Sequence, residues 1–145
     1  MDNIDIDFFP VYIGKLKKEI QKKMNNLLSP YNLTSIHSMY LLLLNKSYSG
    51  LTLSELTAGV DVDKANTTRV INDLEKKGYV YRDNTKLNER KYKIFLTEKG
   101  EDIANIVQDY MIEKREQILK SFTPEEIKQF SKFLIKTLKE FSKLN

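Results

Sequence analysis

Apolar residues recur in the N-terminal part of the chain at the three- and four-residue spacing of amphipathic helices. This spacing predicts a first helix over residues 10–28, which the Ser-Pro pair at 29–30 ends. A second helix is predicted over 35–46, with Thr34 as its N-cap. Its central run at 40–44 is apolar on nearly all sides, which indicates that this helix lies in the middle of the core.

The middle of the chain contains two more helical patterns separated by a turn. Thr52 and Glu55 have the spacing of a capping box at the start of a short helix. A polar-faced helix is predicted over 64–77, with either aspartate of the preceding GVDVD turn as its N-cap. Gly78 follows this helix and suits the left-handed conformation that commonly ends one. The short helix, the turn and the polar-faced helix have helix-turn-helix order.

The pattern then changes from helical spacing to alternation. Residues 79–82 and 91–96 predict a β-hairpin of about five residues per strand, joined by a charged tip. A long helix is predicted from Thr97, and the sequence TPEE, with Pro124 at the first helical position, starts the last one. The sequence thus predicts a mainly α fold with a small β-hairpin wing, a winged helix-turn-helix.

The terminal helices contain more apolar residues than so small a core can cover. Uncovered apolar stripes are usually buried against a partner, and a second copy of the chain is the simplest one. We therefore predict a homodimer. Residues 1–145 are predicted to form a single domain, with a winged helix-turn-helix core over 34–100 and dimerisation helices over 1–30 and 101–145.

Composition excludes several classes of function. The chain has 145 residues with no cysteine and one histidine, which excludes a disulfide framework, a thiolate zinc site and thiol-based redox sensing. It has no nucleophile–base pair and no Gly-rich phosphate loop, so we predict neither an enzyme nor a bound cofactor or metal. No apolar run approaches the roughly 20 residues of a membrane span, and the acidic N-terminus differs from a signal peptide, so a cytoplasmic location is expected.

Positive charge is concentrated in one quarter of the chain. Residues 64–99 contain ten Lys or Arg and five Asp or Glu, a net charge of +5, whereas the rest contains fourteen basic and fifteen acidic residues. A local excess of this kind favours a polyanion as the partner. A solvated helix surface is the less specific alternative.

The polar face of the helix over 64–77 has the residue types that bind base edges. Asn binds adenine, Arg binds guanine, and Thr contacts phosphate or the thymine methyl group. A helix-turn-helix inserts the N-terminal part of its second helix into the major groove. The residues predicted on that outward face are Lys64, Asn66, Thr68, Arg69 and Asn72. The sequence therefore predicts binding to double-stranded DNA.

Two further groups are predicted to contact DNA. Lys86 and Arg90 lie at the hairpin tip, and an arginine there can enter the negative, narrow minor groove of A·T-rich DNA. Thr52 begins a helix whose N-terminal backbone N–H groups can point at phosphate.

Residues 51–100 contain L-T-x-x-E-L, T-R-x-x-x-x-L-E-K-K-G, the wing and L-T-E-K-G in that order. In this combination the chain resembles the MarR-family winged helix-turn-helix transcriptional regulators, loosely over nearly its whole length. The resemblance implies a homodimer with interlocking terminal helices that binds a pseudo-palindromic operator, most often as a repressor. It also implies a possible small-molecule effector, and it places Arg90 at the wing-tip position that contacts the minor groove.

Two positions leave alternatives open. The family usually has an Asp two residues before the wing-tip arginine, whereas this chain has Asn88, which brings no charge. This difference predicts a more mobile wing or a weaker contact, unless Asp83, Glu89 or a neighbouring element substitutes for the missing charge. His37 lies early in the second helix, where family members often line an effector cleft, although a purely structural histidine is the favoured alternative. A winged helix used as a protein–protein interaction module, without DNA binding, is the alternative function.

Overall fold

The computed structural model describes residues 6–83 and 92–145. Its helices and strands follow the predicted order, with short 3₁₀ turns at Ile6–Phe8 and Ser29–Tyr31. The elements are α1 (Phe9–Leu28), α2 (Ser35–Asn45), α3 (Leu53–Val60), α4 (Lys64–Lys76), β1 (Val80–Asp83), β2 (Lys93–Leu96), α5 (Glu98–Leu119) and α6 (Pro124–Phe141). The predicted winged helix-turn-helix fold is confirmed.

Helix ends lie where the side-chain caps predict them. The Thr52 hydroxyl accepts a hydrogen bond from the Glu55 backbone N–H at 3.2 Å, and the Glu55 carboxylate accepts from the Thr52 N–H at 2.8 Å. Of the two aspartates in the turn, Asp63 caps α4, whereas Asp61 ends α3 in the left-handed region with a φ of 58°. Gly78 ends α4 with a φ of 82°.

The inward face of α4 packs against α2, α3 and β1. Its buried residues include one polar side chain, Thr67, whose hydroxyl lies 3.1 Å from the Tyr40 hydroxyl and 2.9 Å from the Thr57 hydroxyl. These contacts satisfy a polar group that would otherwise be costly to bury. The buried residues on this face are Thr67, Val70, Ile71 and Leu74.

The hairpin is a two-stranded antiparallel sheet in which Val80 pairs with Leu96 and Asp83 pairs with Lys93. The described strands have four residues each, slightly shorter than predicted. Leu51, just before α3, extends the sheet by a reciprocal pair of backbone hydrogen bonds with Ile94 at 2.7 and 3.1 Å. The wing is therefore attached to the helix-turn-helix through backbone contacts.

Gly100, in the first turn of α5, allows that helix to approach the hairpin. A Cβ at this position would overlap the backbone oxygen of Tyr79. Thr97 joins the same elements, because its N–H donates to the Tyr79 oxygen at 3.1 Å and its hydroxyl donates to the Gly78 oxygen at 2.7 Å. The start of α5 is thus fixed against the end of α4 and the start of β1.

The chain divides into two compact units, Met1–Gln108 and Asp109–Asn145. The second unit contains the C-terminal part of α5 and all of α6, and α6 has an exposed apolar face. That face consists of Phe130, Phe133, Leu134, Leu138 and Phe141. In the first unit, α1 also exposes apolar residues, among them Val11, Leu16 and Ile20. None of the described helices combines the length and the hydropathy that a membrane span requires.

Candidate nucleic-acid interface

The outward face of α4 forms an open surface groove. Of the five α4 residues predicted to face DNA, four line this groove together with Ala65. These four are Lys64, Thr68, Arg69 and Asn72. Asn66 does not line the groove and is partly buried. The structure therefore places most of the predicted set on one surface, with its cationic and amide groups available to a ligand.

Asn66 lies between the helix cap and Arg69. Its backbone N–H donates to Asp63 Oδ1 at 2.7 Å, and its side-chain Nδ2 donates to Asp63 Oδ2 at 2.8 Å. Its Oδ1 accepts a hydrogen bond from Arg69 Nη2 at 2.6 Å. A carboxylate–amide–guanidinium chain thus runs along the first turns of α4 and holds the Arg69 side chain in one orientation.

Thr68 uses its hydroxyl proton within the helix. The hydroxyl donates to the backbone oxygen of Lys64 at 3.0 Å, a common arrangement for threonine in a helix interior. The lone pairs of the Thr68 oxygen stay available on the groove side. Thr68 is therefore presented to a ligand as a hydrogen-bond acceptor.

Asn72 is held by the wing through Arg82, a residue that the sequence did not single out. Arg82 Nη2 donates to Asn72 Oδ1 at 2.5 Å, and Arg82 Nη1 lies 3.3 Å from Glu75 Oε1. The guanidinium also lies 5.1 Å from the centre of the Tyr92 ring, within the range of a cation–π contact. Arg82 thereby joins α4 to β1 and to the residue that precedes β2.

One polar group of Arg82 has no hydrogen-bond partner among the described residues. Its Nε is buried, and no described residue accepts its hydrogen. The alternation of β1 indicates that Arg82 lies on the inward face of the strand, because Val80 and Arg82 fall on the same face and Val80 is buried. The partner on α4 could not be identified from that alternation, since it depends on how the hairpin folds back.

His37 connects α2 to the C-terminal half of α4. Its Nδ1 accepts a hydrogen bond from the Thr34 N–H at 3.0 Å, which completes a capping box at the start of α2. Its Nε2 lies 2.8 Å from Asp73 Oδ2. Because Nδ1 accepts, the proton is on Nε2, which donates to the carboxylate. Both ring nitrogens therefore have protein partners, and a role for His37 in effector binding stays a prediction.

Asp73 is the centre of a small charged cluster. Its Oδ2 lies 2.8 Å from Lys77 Nζ as well as from His37 Nε2. The hydrogen bond from Lys77 is the largest influence on the pKa of Asp73, and with the bond from His37 it outweighs partial burial and lowers that pKa below its ordinary value of 3.8. Lys77 Nζ also donates to the backbone oxygen of Asn32 at 2.7 Å, so the cluster fixes α4 against the loop before α2.

The DNA contacts predicted outside α4 stay predictions. Thr52 lies at the N-terminus of α3 with its own N–H bonded to Glu55, and its phosphate contact stays a prediction. Lys86, Asn88 and Arg90 lie outside the described residues. Within the described part of the chain, no group of three or more His, Asp or Glu is arranged to hold a metal ion.

Residues 33–92 match the sequence model described as the MarR family. The matched region begins just before α2 and ends at the hairpin, so it covers the helix-turn-helix and the wing. Residues 33–92 are therefore a MarR-family region.

One relative of the chain is the HTH-type transcriptional regulator BilQ of Clostridioides difficile strain CD3. It is 29% identical over 132 residues, which span 91% of this chain and 88% of BilQ. The similarity thus extends beyond the winged helix-turn-helix into the terminal helices.

Solved structures share the fold over nearly the whole chain. A MarR protein from Peptoclostridium difficile DA00132 is 25% identical and superposes with a TM-score of 0.83, covering 97% of this chain and 91% of that one. Streptococcus pneumoniae FabT, solved in complex with DNA, is 21% identical with a TM-score of 0.81, covering 97% of this chain and 100% of FabT. At such an identity, FabT supports the fold alone.

Proposed function

We propose that this protein is a sequence-specific DNA-binding transcriptional regulator and not an enzyme. The observation that supports this best is the groove on α4, where a lysine, a threonine, an arginine and an asparagine share one outward face. This is the helix that a winged helix-turn-helix inserts into the major groove. The name of the BilQ relative, an HTH-type transcriptional regulator, points in the same direction.

The regulator acts as a homodimer on a pseudo-palindromic operator. The apolar face of α6 and the apolar residues of α1 are exposed in the single chain, and burying them against a second copy removes them from water. A two-fold dimer presents two recognition helices to half-sites about 34–36 Å apart, one turn of duplex DNA. Binding in successive major grooves then requires two inverted half-sites.

The contacts divide into two kinds. Lys64, the wing residues Lys86 and Arg90, and the start of α3 at Thr52 contact phosphate or the minor groove and fix the register. Arg69 and Asn72 contact base edges and select the sequence. In the cytoplasm the bound dimer represses transcription, and a small molecule that favours another separation of the recognition helices weakens binding.

The test is binding to duplex DNA as the salt concentration is varied. A random duplex pool is first selected with the purified 145-residue protein, and affinity for the consensus is then measured by fluorescence anisotropy. We expect a palindromic consensus and a loss of about 10³-fold in affinity between about 50 and 200 mM salt, provided that six or more phosphates are contacted. A folded protein that binds no duplex at low salt would favour the protein–protein interaction module instead.

A further inference from the structure

Both asparagines on the outward half of α4 have their side-chain oxygen bonded to an arginine. Asn66 Oδ1 accepts from Arg69 Nη2 at 2.6 Å, and Asn72 Oδ1 accepts from Arg82 Nη2 at 2.5 Å. The amide orientation is fixed by chemistry in each case, because a guanidinium has donors only. The nitrogen of Asn66 must likewise face Asp63, whose carboxylate only accepts at neutral pH.

The side-chain groups of α4 that remain free to bind a ligand in the groove are therefore mostly hydrogen-bond donors. Lys64 offers an ammonium, and Arg69 has N–H groups beyond the one bonded to Asn66. The Nδ2 of Asn72 has no acceptor among the described residues, so its two hydrogens are available. Thr68 contributes an acceptor, because its proton is donated to the Lys64 backbone oxygen.

This distribution matters because the base pairs differ in the groups they present in the major groove. Guanine presents two acceptors, N7 and O6, and its cytosine partner presents one donor. Adenine presents one acceptor and one donor, so an asparagine binds it through its oxygen and its nitrogen together. An asparagine oxygen that already accepts from an arginine has one lone pair left and is held by the guanidinium, so that two-bond contact is disfavoured.

We propose that α4 selects guanine, with Arg69 and Asn72 each contacting a guanine in the operator half-site. Asp63, through Asn66, and Arg82, through Asn72, are positioning residues that set this preference without touching a base. Asn66, which its residue type suggests as an adenine contact, supports Arg69 instead. The inference rests on the proposed function and specifies which bases that function selects.

The first experiment uses the wild-type protein and modified DNA. After selection of the consensus, each conserved guanine under the recognition helix is replaced by 7-deazaguanine, which lacks the N7 acceptor. We expect affinity to fall at least about tenfold at two positions per half-site, since one good base contact discriminates by a factor of this order. Replacement of adenines by 7-deazaadenine should change affinity less than about threefold.

The second experiment repeats the selection with Arg82→Met, which releases the oxygen of Asn72. We expect one guanine in each half-site to be replaced by adenine in the new consensus. The matched control is Glu75→Gln, which weakens the ion pair of Arg82 but leaves its bond to Asn72, and its consensus should keep the guanine. Thermal unfolding is measured for both variants, and if Arg82→Met does not fold, the wild-type experiment with modified DNA decides alone.

The outcomes separate the inference from the proposed function. The inference is overturned if no guanine in the wild-type consensus contributes to affinity through its N7. It is also overturned if a folded Arg82→Met variant selects an unchanged consensus. Either result leaves the proposed function as a DNA-binding regulator intact. If the wild-type protein selects no sequence at all, the proposed function is overturned and the inference with it.

Discussion

The Nε2 atom of His37 on α2 lies 2.8 Å from the Oδ2 atom of Asp73 on α4, across 36 positions of sequence. The same imidazole completes the capping box of α2 through its Nδ1 atom. A single buried side chain thus fixes both the start of the central helix and the inner flank of the recognition helix. The two roles of His37 and the charge of Asp73 can be tested separately.

Replacing His37 separates its two roles. His37→Ala removes the cap and the Asp73 contact, and we expect the free energy of unfolding to fall by about 2 kcal/mol. His37→Gln keeps a side chain that can complete a capping box at this position, so its loss should be about half as large. Urea unfolding of both variants measures the difference, and equal losses would show that the cap contributes nothing.

The lowered pKa of Asp73 predicts a dependence of stability on pH. A carboxyl whose folded pKa lies below its ordinary value of 3.8 binds fewer protons in the folded state than in the unfolded state. Its contribution to stability is therefore complete above that value and is lost as the pH falls through the folded pKa. Urea unfolding of wild type and Asp73→Asn between about pH 7 and pH 2.5 should give curves that converge at the acid end. A constant difference across this range would contradict the prediction.

Gly100 and Gly14 form a matched pair for testing the contact between α5 and the hairpin. In Gly100→Ala the new Cβ would overlap the Tyr79 oxygen, so the helix must move, and we expect a loss of about 2 kcal/mol or more. Gly14 lies in α1, where a Cβ would meet no atom within 4 Å apart from those of its chain neighbours and of the helix backbone, and Gly14→Ala should stabilise the protein by up to about 1 kcal/mol. Thermal unfolding of both variants tests the sign of each change.

The apolar face of α6 provides a test of dimerisation. Phe133 is 70% exposed in the single chain, and Phe133→Glu should place a charge in the interface and shift the protein toward monomer in sedimentation velocity. Lys139→Gln changes the net charge by the same amount on the side of the helix opposite this face and should leave the dimer intact. A Phe133→Glu protein that stays dimeric would exclude this face from the interface.

Local features of the fold could be predicted because they depend on residues close in sequence. The cap at Thr52, an aspartate cap before α4 and the glycine after α4 follow from spacing of a few residues, although this spacing does not distinguish Asp63 from Asp61. Contacts between distant elements could not be predicted in this way. The bonds from Arg82 to Asn72 and from His37 to Asp73 depend on how the hairpin and α2 pack against α4, which no local pattern specifies.

Arg69 tests whether the predicted base contact selects sequence or only binds phosphate. Arg69→Ala removes a side chain that lines the groove and bonds only to Asn66 within the described residues, so stability should change by less than about 0.5 kcal/mol. A bidentate contact to guanine contributes about 1–3 kcal/mol of discrimination, so operator affinity should fall at least about tenfold while affinity for random duplex falls much less. Anisotropy titrations with both duplexes at one salt concentration measure the ratio, and Arg115→Ala on α5 is the control for loss of one positive charge. Equal losses for operator and random DNA would make Arg69 a phosphate contact.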